Sequence, residues 1–370
     1  MHILYIFTFG YSLKIWENTG TLEKELLIFK KLHADRNVHF TFLTYGKIED
    51  KNYDLARYGI NIIPIFMNRE IPESKVFTIF YSLYFVLKNI KRFRKVSIIK
   101  QNQLSGVWLA ILLKILLRRP LILRTGYDMY RFSVQENKSR LKRSLFLIVT
   151  NLSFLFADIY SVTSKSDLVF SEKYLISPKK ILLRPNSVEV SNTLSIKSRY
   201  KMKILTVGRL EAQKNYQKLI RDFENSQYEI DIVGEGSEYN DLKALAKEKN
   251  VQLNFLGKFN NTELKKLYQK YIFYVSTSLF EGNPKTVLEA MSSGCVVLIS
   301  KIDNHKELIV DNRNGFILDL DESFKKKIED IKLDLNRLNY ISKNAVSFVY
   351  ENNSLEKLSY NLYKDYESIV

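Results

Sequence analysis

Short apolar runs alternate with longer amphipathic stretches along most of the chain. Runs rich in Val, Ile, Leu, Phe and Tyr are typical of strands buried in a parallel sheet, and the stretches between them have helical spacing. This alternation predicts βα units. In the first half, the predicted strands are 2–9, 38–45, 60–66, 96–100, 121–125, 158–163 and 181–184. The predicted helices there are 20–33, 73–91, 104–118, 137–156 and 165–174.

The second half repeats the pattern. Its predicted strands are 203–207, 229–233, 252–256, 272–276, 295–300 and 315–318. Its predicted helices are 215–225, 237–249, 261–269, 284–293 and 304–310, followed by a helical tail that ends in a helix near 354–369. At 370 residues the chain exceeds the usual size of one hydrophobic core, so two α/β domains are expected.

A polar stretch without periodicity separates the two series and predicts a linker at 186–201. The expected organisation is a first domain at 1–185, a second at 202–322, and C-terminal helices at 323–370. The last of these helices is expected to pack back onto the first domain. The predicted fold class is α/β, with two doubly wound, Rossmann-like domains facing each other across a cleft.

The charge is unevenly distributed. The net charge is +17, and residues 1–200 contain 32 Lys and Arg against 15 Asp and Glu, so the whole excess lies in the first half. Such an excess attracts phosphate, whether on nucleic acid, on anionic lipid or on a pyrophosphate-bearing substrate. It also favours solubility, and charge alone does not decide among these roles.

Cysteine content and hydropathy indicate where the chain works. The single cysteine, Cys295, cannot form an intrachain disulfide, and the N-terminus lacks the features of a signal peptide, so we expect a cytoplasmic protein. No apolar run reaches the length of a membrane span. The most apolar stretches, 107–117 and 144–156, are expected to be buried helices of the first domain.

The segment 278–291 carries the most informative chemistry. It follows an apolar strand and leads into a helix predicted to begin at Pro284 or Lys285, whose first amides and positive dipole end suit a diphosphate. Glu281 lies in the loop and Glu289 lies about two turns into the helix. Each carboxylate can accept hydrogen bonds from vicinal hydroxyls of a sugar or a ribose. Taken alone, such glutamate pairs are usually solvated surface residues.

Two further strand ends carry glycines and cations. At the first, Gly208 permits close backbone approach, and Arg209 and Lys214 place two cations where a diphosphate could lie. At the second, Gly234 and Gly236 suit either a close ligand or a tight turn. Each element alone is equally consistent with an ordinary surface loop.

Together these elements, with Leu256-Gly257-Lys258 and Asn314-Gly315-Phe316, resemble the donor half of the retaining GT-B glycosyltransferases of family 4. The resemblance spans roughly residues 200–320. It implies that Arg209 and Lys214 contact the donor diphosphate, that Glu281 touches the donor sugar, and that Glu289 holds the nucleotide ribose. The residues implied to surround sugar and phosphate, largely through backbone amides, are Gly208, Asn283, Pro284, Lys285, Thr286 and Val287.

The first half matches the family less closely. Gly20 stands near the position of a glycine loop that contacts acceptor or phosphate. Many relatives have a histidine after the strand at 121–125 that contacts the donor sugar, but the four histidines here are elsewhere. Asp128 or Tyr127 is expected to occupy that space. A retaining reaction can proceed without an enzymic base if the leaving diphosphate accepts the acceptor's proton.

The sequence therefore predicts a glycosyltransferase enzyme of the hexosyltransferase type, acting in cell-surface polysaccharide biosynthesis. Its expected partners are a nucleotide sugar and a saccharide or polyprenyl-pyrophosphate-linked acceptor, with no nucleic acid. No metal or other cofactor is expected, because Asp319-Leu320-Asp321 trails a late strand and is expected to be a solvated turn. Two alternatives stay open: a nucleotide-sugar 2-epimerase of the same fold, and a non-catalytic relative that binds a membrane or nucleic acid.

Basic clusters in the first half suggest an anionic membrane surface as a further partner. They comprise Lys88-Lys91-Arg92-Arg94-Lys95, Arg118-Arg119 and Lys138-Arg140-Lys142-Arg143, and they adjoin apolar segments that include 76–87. A few cations near an anionic surface can hold a protein there reversibly. We therefore expect a peripheral enzyme on the inner face of the cytoplasmic membrane.

Overall fold

Apolar runs form two parallel β-sheets in the computed structural model, which describes residues 1–190 and 195–370. The first sheet has seven strands in the order β3-β2-β1-β4-β5-β6-β7. Their bounds are β1 His2–Ile6, β2 His39–Thr44, β3 Ile60–Pro64, β4 Ile98–Asn102, β5 Leu121–Arg124, β6 Ile159–Val162 and β7 Ile181–Leu183. The strand order runs one way from β1 to β3 and the other way from β4 to β7, and this reversal between β1 and β4 makes the sheet doubly wound.

Helices cover both faces of this sheet. They are α1 Leu13–Asn18, α2 Leu22–Arg36, α3 Lys75–Lys88, α4 Val107–Leu117, α5 Met129–Gln135, α6 Arg140–Phe156 and α7 Lys165–Ser171. Short 3-10 turns occupy Ile48–Asn52, Ala56–Tyr58 and Ile90–Phe93. One core packs α1 and α2 against one face, and a second core packs α3, α4 and α6 against the other. Burial on both faces explains why the strands are apolar throughout.

The second sheet has six strands in the order β10-β9-β8-β11-β12-β13. Their bounds are β8 Tyr200–Val207, β9 Glu229–Val233, β10 Gln252–Gly257, β11 Tyr271–Ser276, β12 Val296–Ser300 and β13 Phe316–Leu318. The helices that follow along the chain are α8 Tyr216–Asp222, α9 Tyr239–Glu248, α10 Asn261–Tyr268, α11 Lys285–Ser292, α12 Asp303–Lys306, α13 Phe324–Ile331, α14 Leu335–Asn353 and α15 Leu355–Glu367, of which α15 packs mainly on the first sheet. Short 3-10 turns lie at Ile196–Ser198 and Ala212–Lys214. The predicted α/β class, with two doubly wound sheets, is confirmed.

The chain divides into two compact units. The first comprises Met1–Pro185 and Leu358–Val370, and the second comprises Asn186–Lys357. The predicted linker at 186–201 lies in the second unit, where Val188 bridges to Ser354. Its residues 191–194 lie outside the described residues.

Three helical expectations need correction. Helix α1 and helix α5 are absent from the predicted elements, since each has only six or seven residues and too few turns to show a period. The helix predicted at 304–310 ends at Lys306. Within the tail, α14 is the longest element, because its Leu338, Ile341, Ala345 and Val349 pack against the second sheet's cores.

The expected burial of 107–117 and 144–156 is only partly correct. Helix α4 buries Val107, Leu109, Ala110 and Leu113, whereas its last turn leaves Ile115 and Leu116 exposed. In α6 the buried positions are Thr150, Ser153 and Phe154, while a row of leucines and an isoleucine faces outward. The prediction for 144–156 is therefore wrong about the outer face. Among the described helices, none combines the length and apolar character needed to cross a membrane.

Polar groups hold the C-terminal segment against the first sheet. The Asp365 carboxylate accepts hydrogen bonds from Nε and Nη2 of Arg184 at 2.8 and 2.5 Å, a bidentate pair. The Lys100 amine donates to the Tyr366 hydroxyl at 2.6 Å. Burial, with a further contribution from the charge of Arg124, lowers the pKa of Lys100 to about 7. Leu362 and Tyr366 complete the same core as α2.

Asp365→Ala should loosen the end of α15, because Arg184 would keep its charge in a mostly buried place without a partner. Breaking such a pair costs about 3 kcal/mol, or on the order of a 100-fold faster local opening. Hydrogen–deuterium exchange of residues 358–367 measures this opening. The matched control is Glu367→Ala, which removes an exposed ion pair with Lys364 on the same helix and should leave exchange unchanged. Equal exchange in both variants would contradict the assigned role of Asp365.

Candidate functional site

Two loops of the second unit lie side by side because their strands are neighbours. Strands β8 and β11 are paired in parallel, so the loops that follow them, 208–215 and 277–284, leave the sheet at the same edge. In open α/β sheets this carboxyl edge is where ligands bind. The two most informative sequence elements therefore meet in one place.

Hydrogen bonds join these loops directly. The Leu279 amide donates to the Gln213 carbonyl oxygen at 2.9 Å, and the Gln213 side-chain amide donates to the Phe280 carbonyl oxygen at 2.8 Å. The Thr277 hydroxyl lies 3.1 Å from the Lys214 carbonyl oxygen and 2.9 Å from that of Asn215. The backbone around Lys214 is thus fixed relative to the backbone around Glu281.

An ion pair forms the centre of the site. The Lys214 amine lies 2.5 Å from one Glu281 carboxylate oxygen, which also accepts a hydrogen bond from the Ser278 hydroxyl at 2.8 Å. The other carboxylate oxygen lies 3.5 Å from the Gln213 amide. The side chains of Lys214 and Glu281 are only 15% and 10% exposed, so this pair is largely desolvated. It holds one cation and one carboxylate in a defined geometry.

Further polar groups hold the backbone of the loop that carries Glu281. The Asn304 side-chain amide donates to the Glu281 carbonyl oxygen at 2.5 Å, and the Ser300 hydroxyl donates to the Ser278 carbonyl oxygen at 2.5 Å. The His305 Nδ1 lies 2.7 Å from the Ser300 carbonyl oxygen, which places its proton on that nitrogen. Burial lowers the pKa of His305 to about 4, so its ring is neutral at physiological pH.

Helix α11 begins where the sequence predicts. Pro284 is its N-cap, and the first intrahelical bond runs from the Leu288 amide to the Pro284 carbonyl oxygen, so the amides of 285–287 precede that ladder. Asn283 is buried and binds Asn186: its side-chain oxygen accepts from the Asn186 amide at 2.9 Å, and its carbonyl accepts from the Asn186 side chain at 2.6 Å. The Asn283 side chain therefore orders the loop.

Glu289 faces tyrosines on the inner side of α11. Its carboxylate lies 3.3 Å from the Tyr268 hydroxyl. Burial raises the pKa of Tyr274, and the charges of Tyr216, Glu281 and Glu289 add to the effect. Tyr274 therefore stays protonated at physiological pH.

Glycines permit the backbone contacts that support the Arg209 loop. The Gly208 amide donates to the Val233 carbonyl oxygen at 2.9 Å, and the Leu210 amide donates to that of Glu235 at 3.0 Å. A Cβ on Gly234, whose φ is +145°, would lie 2.0 Å from the Gly208 carbonyl oxygen. Only glycine fits there. Arg209 itself is exposed.

The candidates predicted in the first unit have local structural roles. Asp128 is buried as the N-cap of α5, where its carboxylate accepts from the Arg131 amide at 2.7 Å and the Tyr174 hydroxyl at 2.6 Å. Burial raises the pKa of Asp128. The Gly20 amide donates to the Glu17 carbonyl oxygen at 2.9 Å, so it is engaged within its own turn.

Within residues 1–190 and 195–370, no group of three or more His, Cys, Asp or Glu side chains could hold a metal ion. Asp319 of the Asp-x-Asp sequence pairs with Lys301 at 2.7 Å at the surface.

Comparison with protein families decides what kind of site this is. Residues 195–348 match the family model described as glycosyl transferases group 1. This segment, about two fifths of the chain, is similar to that family. It contains every second-unit residue of the candidate site except Asn186. The prediction that the chain is a glycosyltransferase is confirmed.

Curated relatives of this glycosyltransferase include enzymes of glycan assembly. Over 277 residues it is 27% identical to a Campylobacter jejuni alpha-1,4-N-acetyl-D-galactosaminyltransferase named for a diphospho-undecaprenol-linked acceptor, and the match covers 72% of each chain. A UDP-Gal:alpha-D-GlcNAc-diphosphoundecaprenol alpha-1,3-galactosyltransferase from Escherichia coli is 28% identical over 48% of this chain and 51% of its own length.

Solved structures share the fold of this glycosyltransferase. Sucrose-phosphate synthase from Thermosynechococcus elongatus is similar with a TM-score of 0.79 at 16% identity, covering 100% of this chain and 98% of that one. Anabaena HepE in complex with UDP and glucose has a TM-score of 0.76 at 16% identity, covering 100% of each chain. The predicted GT-B fold is confirmed.

Several residues that build the site escaped the sequence analysis. Ser278, three residues before Glu281, carries a weak signal, since short hydroxyl residues commonly bond within their own loop. Gln213 could have been noticed beside Lys214. Asn304 had no signal, because it reaches the site from a later part of the sequence. Asn186 stands in Arg184-Pro185-Asn186-Ser187, which resembles the family's Pro-Asn-Gly turn, but nothing there indicated its hydrogen bonds to Asn283.

Gly234→Ala should destabilise the second unit by about 2 kcal/mol or more, because the new methyl group would displace the backbone at Gly208. The matched control is Gly257→Ala, where φ is +71° and nothing lies within 4 Å of the added Cβ. That variant should lose only about 1 kcal/mol, from its left-handed backbone. Urea unfolding curves of both variants measure the difference, and a milder effect at Gly234 would refute the steric argument.

Proposed function

We propose that this glycosyltransferase takes a sugar from a nucleoside diphosphate donor bound in the second unit, and transfers it with retention of anomeric configuration. The observation that carries the proposal is the desolvated Lys214–Glu281 pair beside the start of α11. Cation, carboxylate and helix amides meet there at one sheet edge. A diphosphate and a sugar ring require these complementary groups together.

The positive groups are suited to the leaving diphosphate. In the transfer, the bond from the anomeric carbon to the diphosphate oxygen breaks, and the acceptor oxygen bonds to that carbon. The acceptor's proton passes to the departing diphosphate oxygen. Arg209, Lys214 and the first amides of α11 stabilise the negative charge that develops, so leaving-group departure is favoured without a side-chain base.

The two glutamates contact different parts of the donor. Glu281 is held by Lys214 and Ser278, and we assign it to hydroxyls of the transferred sugar, where its negative charge also favours the positive charge that develops at the anomeric carbon. We assign Glu289, eight residues further along, to the vicinal hydroxyls of the ribose. The Gly208 backbone would approach the diphosphate closely.

Asp128 is the first-unit candidate for a sugar contact in place of the missing histidine. Because its carboxylate is occupied by Arg131 and Tyr174, contact with a donor would require it to exchange one of those hydrogen bonds for the ligand. The start of α5, which Asp128 caps, would then have to move locally.

For the acceptor we propose a saccharide linked to a polyprenyl diphosphate, used in bacterial cell-surface polysaccharide synthesis. Relatives from Campylobacter jejuni and Escherichia coli are named for diphospho-undecaprenol acceptors. The positive excess of residues 1–200 suits such an acceptor and the anionic surface that holds it. We accordingly place the enzyme on the inner face of the cytoplasmic membrane.

A nucleotide-sugar 2-epimerase of the same fold is the alternative activity. It would rearrange the donor sugar without an acceptor. Nucleoside diphosphate released only when acceptor is present would favour transfer, whereas acceptor-independent conversion of the donor would favour the epimerase.

Glu289→Ala should weaken binding of the nucleoside diphosphate about tenfold, because a charged hydrogen bond to ribose is lost in ground and transition states alike. Glu281→Ala should instead lower kcat about 100-fold with a smaller effect on nucleotide affinity, since the sugar contact tightens in the transition state. Calorimetry with the nucleoside diphosphate selected by a thermal-shift screen, together with single-turnover rates, separates the two effects. Glu329→Ala, an exposed glutamate on α13, is the control. Unchanged turnover in Glu281→Ala would disprove its role.

Removal of divalent metal should leave the transfer rate unchanged, because the leaving charge is met by Arg209, Lys214 and backbone amides. Rates measured with and without EDTA treatment test this expectation. Loss of activity that Mg²⁺ or Mn²⁺ restores would show that a metal ion shares the diphosphate.

A further inference from the structure

Two helices of the first unit expose stripes of large apolar side chains. On α6 the stripe is Leu141, Leu145, Ile148, Leu152 and Leu155, each 42–82% exposed. On α3 it is Val76, Phe77, Phe80, Tyr84 and Leu87, each 51–68% exposed. The spacing of three and four residues places each set on one side of its helix. An ordinary surface helix presents polar residues on this side.

The two stripes belong to one face of the unit. Helix α4 contacts both α3 and α6, and all three pack on the same side of the first sheet. Its last turn adds Ile115 and Leu116, both exposed, between the two stripes. We call these exposed residues of α3, α4 and α6 the apolar face. These side chains form a continuous group, whereas exposed apolar residues on an ordinary protein surface are scattered singly.

Long stretches of the sequence that forms the apolar face contain basic residues and no acidic ones. No Asp or Glu occurs between Glu73 and Asp128, whereas that span contains eleven Lys and Arg. Helix α6 has no acidic residue and begins with Arg140, Lys142 and Arg143. Two copies of this face would repel each other, so a second copy is a poor occupant. An anionic lipid surface matches both the apolar side chains and the cations.

A pocket at the edge of the apolar face offers a place for a lipid phosphate. It lies where α4 and α6 end, and its basic lining residues are Lys114, Arg118 and Arg119. Lys114 is paired with Asp158. Arg118 and Arg119 make no ion pair within the described part of the chain and are exposed. Apolar Ile115 and Phe156 line the same pocket, so acyl and phosphate groups would meet matching surfaces.

We propose that the apolar face of α3, α4 and α6 inserts into the interfacial region of an anionic membrane, with Arg118 and Arg119 contacting lipid phosphates. Docking in this way would bring the first unit to a lipid-linked acceptor, and only this benefit rests on the proposed function. Insertion of side chains, rather than charge attraction alone, distinguishes this mode from the general effect of a basic protein.

Sedimentation with vesicles tests the apolar contribution. The full chain should bind vesicles of phosphatidylcholine mixed with phosphatidylglycerol and bind phosphatidylcholine alone weakly. Replacing Leu145, Ile148 and Leu152 together by serine should weaken binding to the mixed vesicles about tenfold or more at low salt, although no charge has changed. The control replaces Leu333 and Tyr340 by serine, because these side chains are at least as exposed but lie in the second unit.

A spectroscopic measurement keeps the test valid if the triple variant fails to fold. Cys295 is buried, so a cysteine introduced at position 148 by Ile148→Cys can be labelled selectively with a polarity-sensitive dye. Its emission should shift to the blue on mixed vesicles, whereas Leu333→Cys should show no shift. No binding by the full chain at low salt, or equal binding by the serine variant, would overturn the proposal. A dimer in solution that the serine variant disrupts would assign the face to a second copy instead.

These outcomes are separable from those of the proposed function. Transfer to a water-soluble acceptor analogue should be unchanged in the serine variant, because none of its substituted residues belongs to the donor site. Loss of vesicle binding with intact transfer supports the docking proposal. Absence of transfer in every protein, with normal vesicle binding, would contradict the proposed function and leave the docking proposal standing.

Discussion

The arrangement of the donor unit depends on a single desolvated contact, the ion pair between Lys214 and Glu281. Both side chains are mostly removed from water, so the loss of either would leave a charge without compensation at a cost of about 3 to 5 kcal/mol. The pair also fixes distance, since it joins the loop after β8 to the loop after β11. Ser278 and Gln213 add contacts that restrain the carboxylate, and Asn304 holds the Glu281 backbone through its carbonyl oxygen.

Glycine has a complementary role on the other side of the site. The close approach of Gly234 to the Gly208 carbonyl lets two strand ends pack without side chains between them, and Arg209 is presented to solvent on the resulting turn. The site thus contains a fixed carboxylate, Glu281, paired with Lys214, and an accessible cation, Arg209. Such an arrangement suits a ligand that carries a diphosphate next to hydroxyl groups.

The first unit uses the same sheet architecture with a different distribution of polarity. Its sheet is buried on both faces, yet α6 turns Thr150 and Ser153 inward and leucines outward. Ser153 tolerates burial because its hydroxyl donates to the Val149 carbonyl oxygen at 2.7 Å. The outward leucines gain nothing from folding of the unit itself. The lipid surface proposed above would cover these side chains.

Local pattern alone determined the strands and the α/β class, because a parallel sheet needs continuous apolar runs. The roles of the second-unit site elements came instead from their combined resemblance to a family, since each element alone reads as an ordinary loop. The motifs that contain Glu281 and Lys214 are therefore recognisable in the amino-acid sequence by itself. Their pairing is not, since it depends on β8 and β11 being neighbours although nearly seventy residues separate the two side chains. The same reason hid Asn304 and the contact between Asn186 and Asn283. The outward face of α6 was wrongly expected to be buried, because a helix of mostly apolar residues does not show which side meets the sheet until tertiary packing selects it.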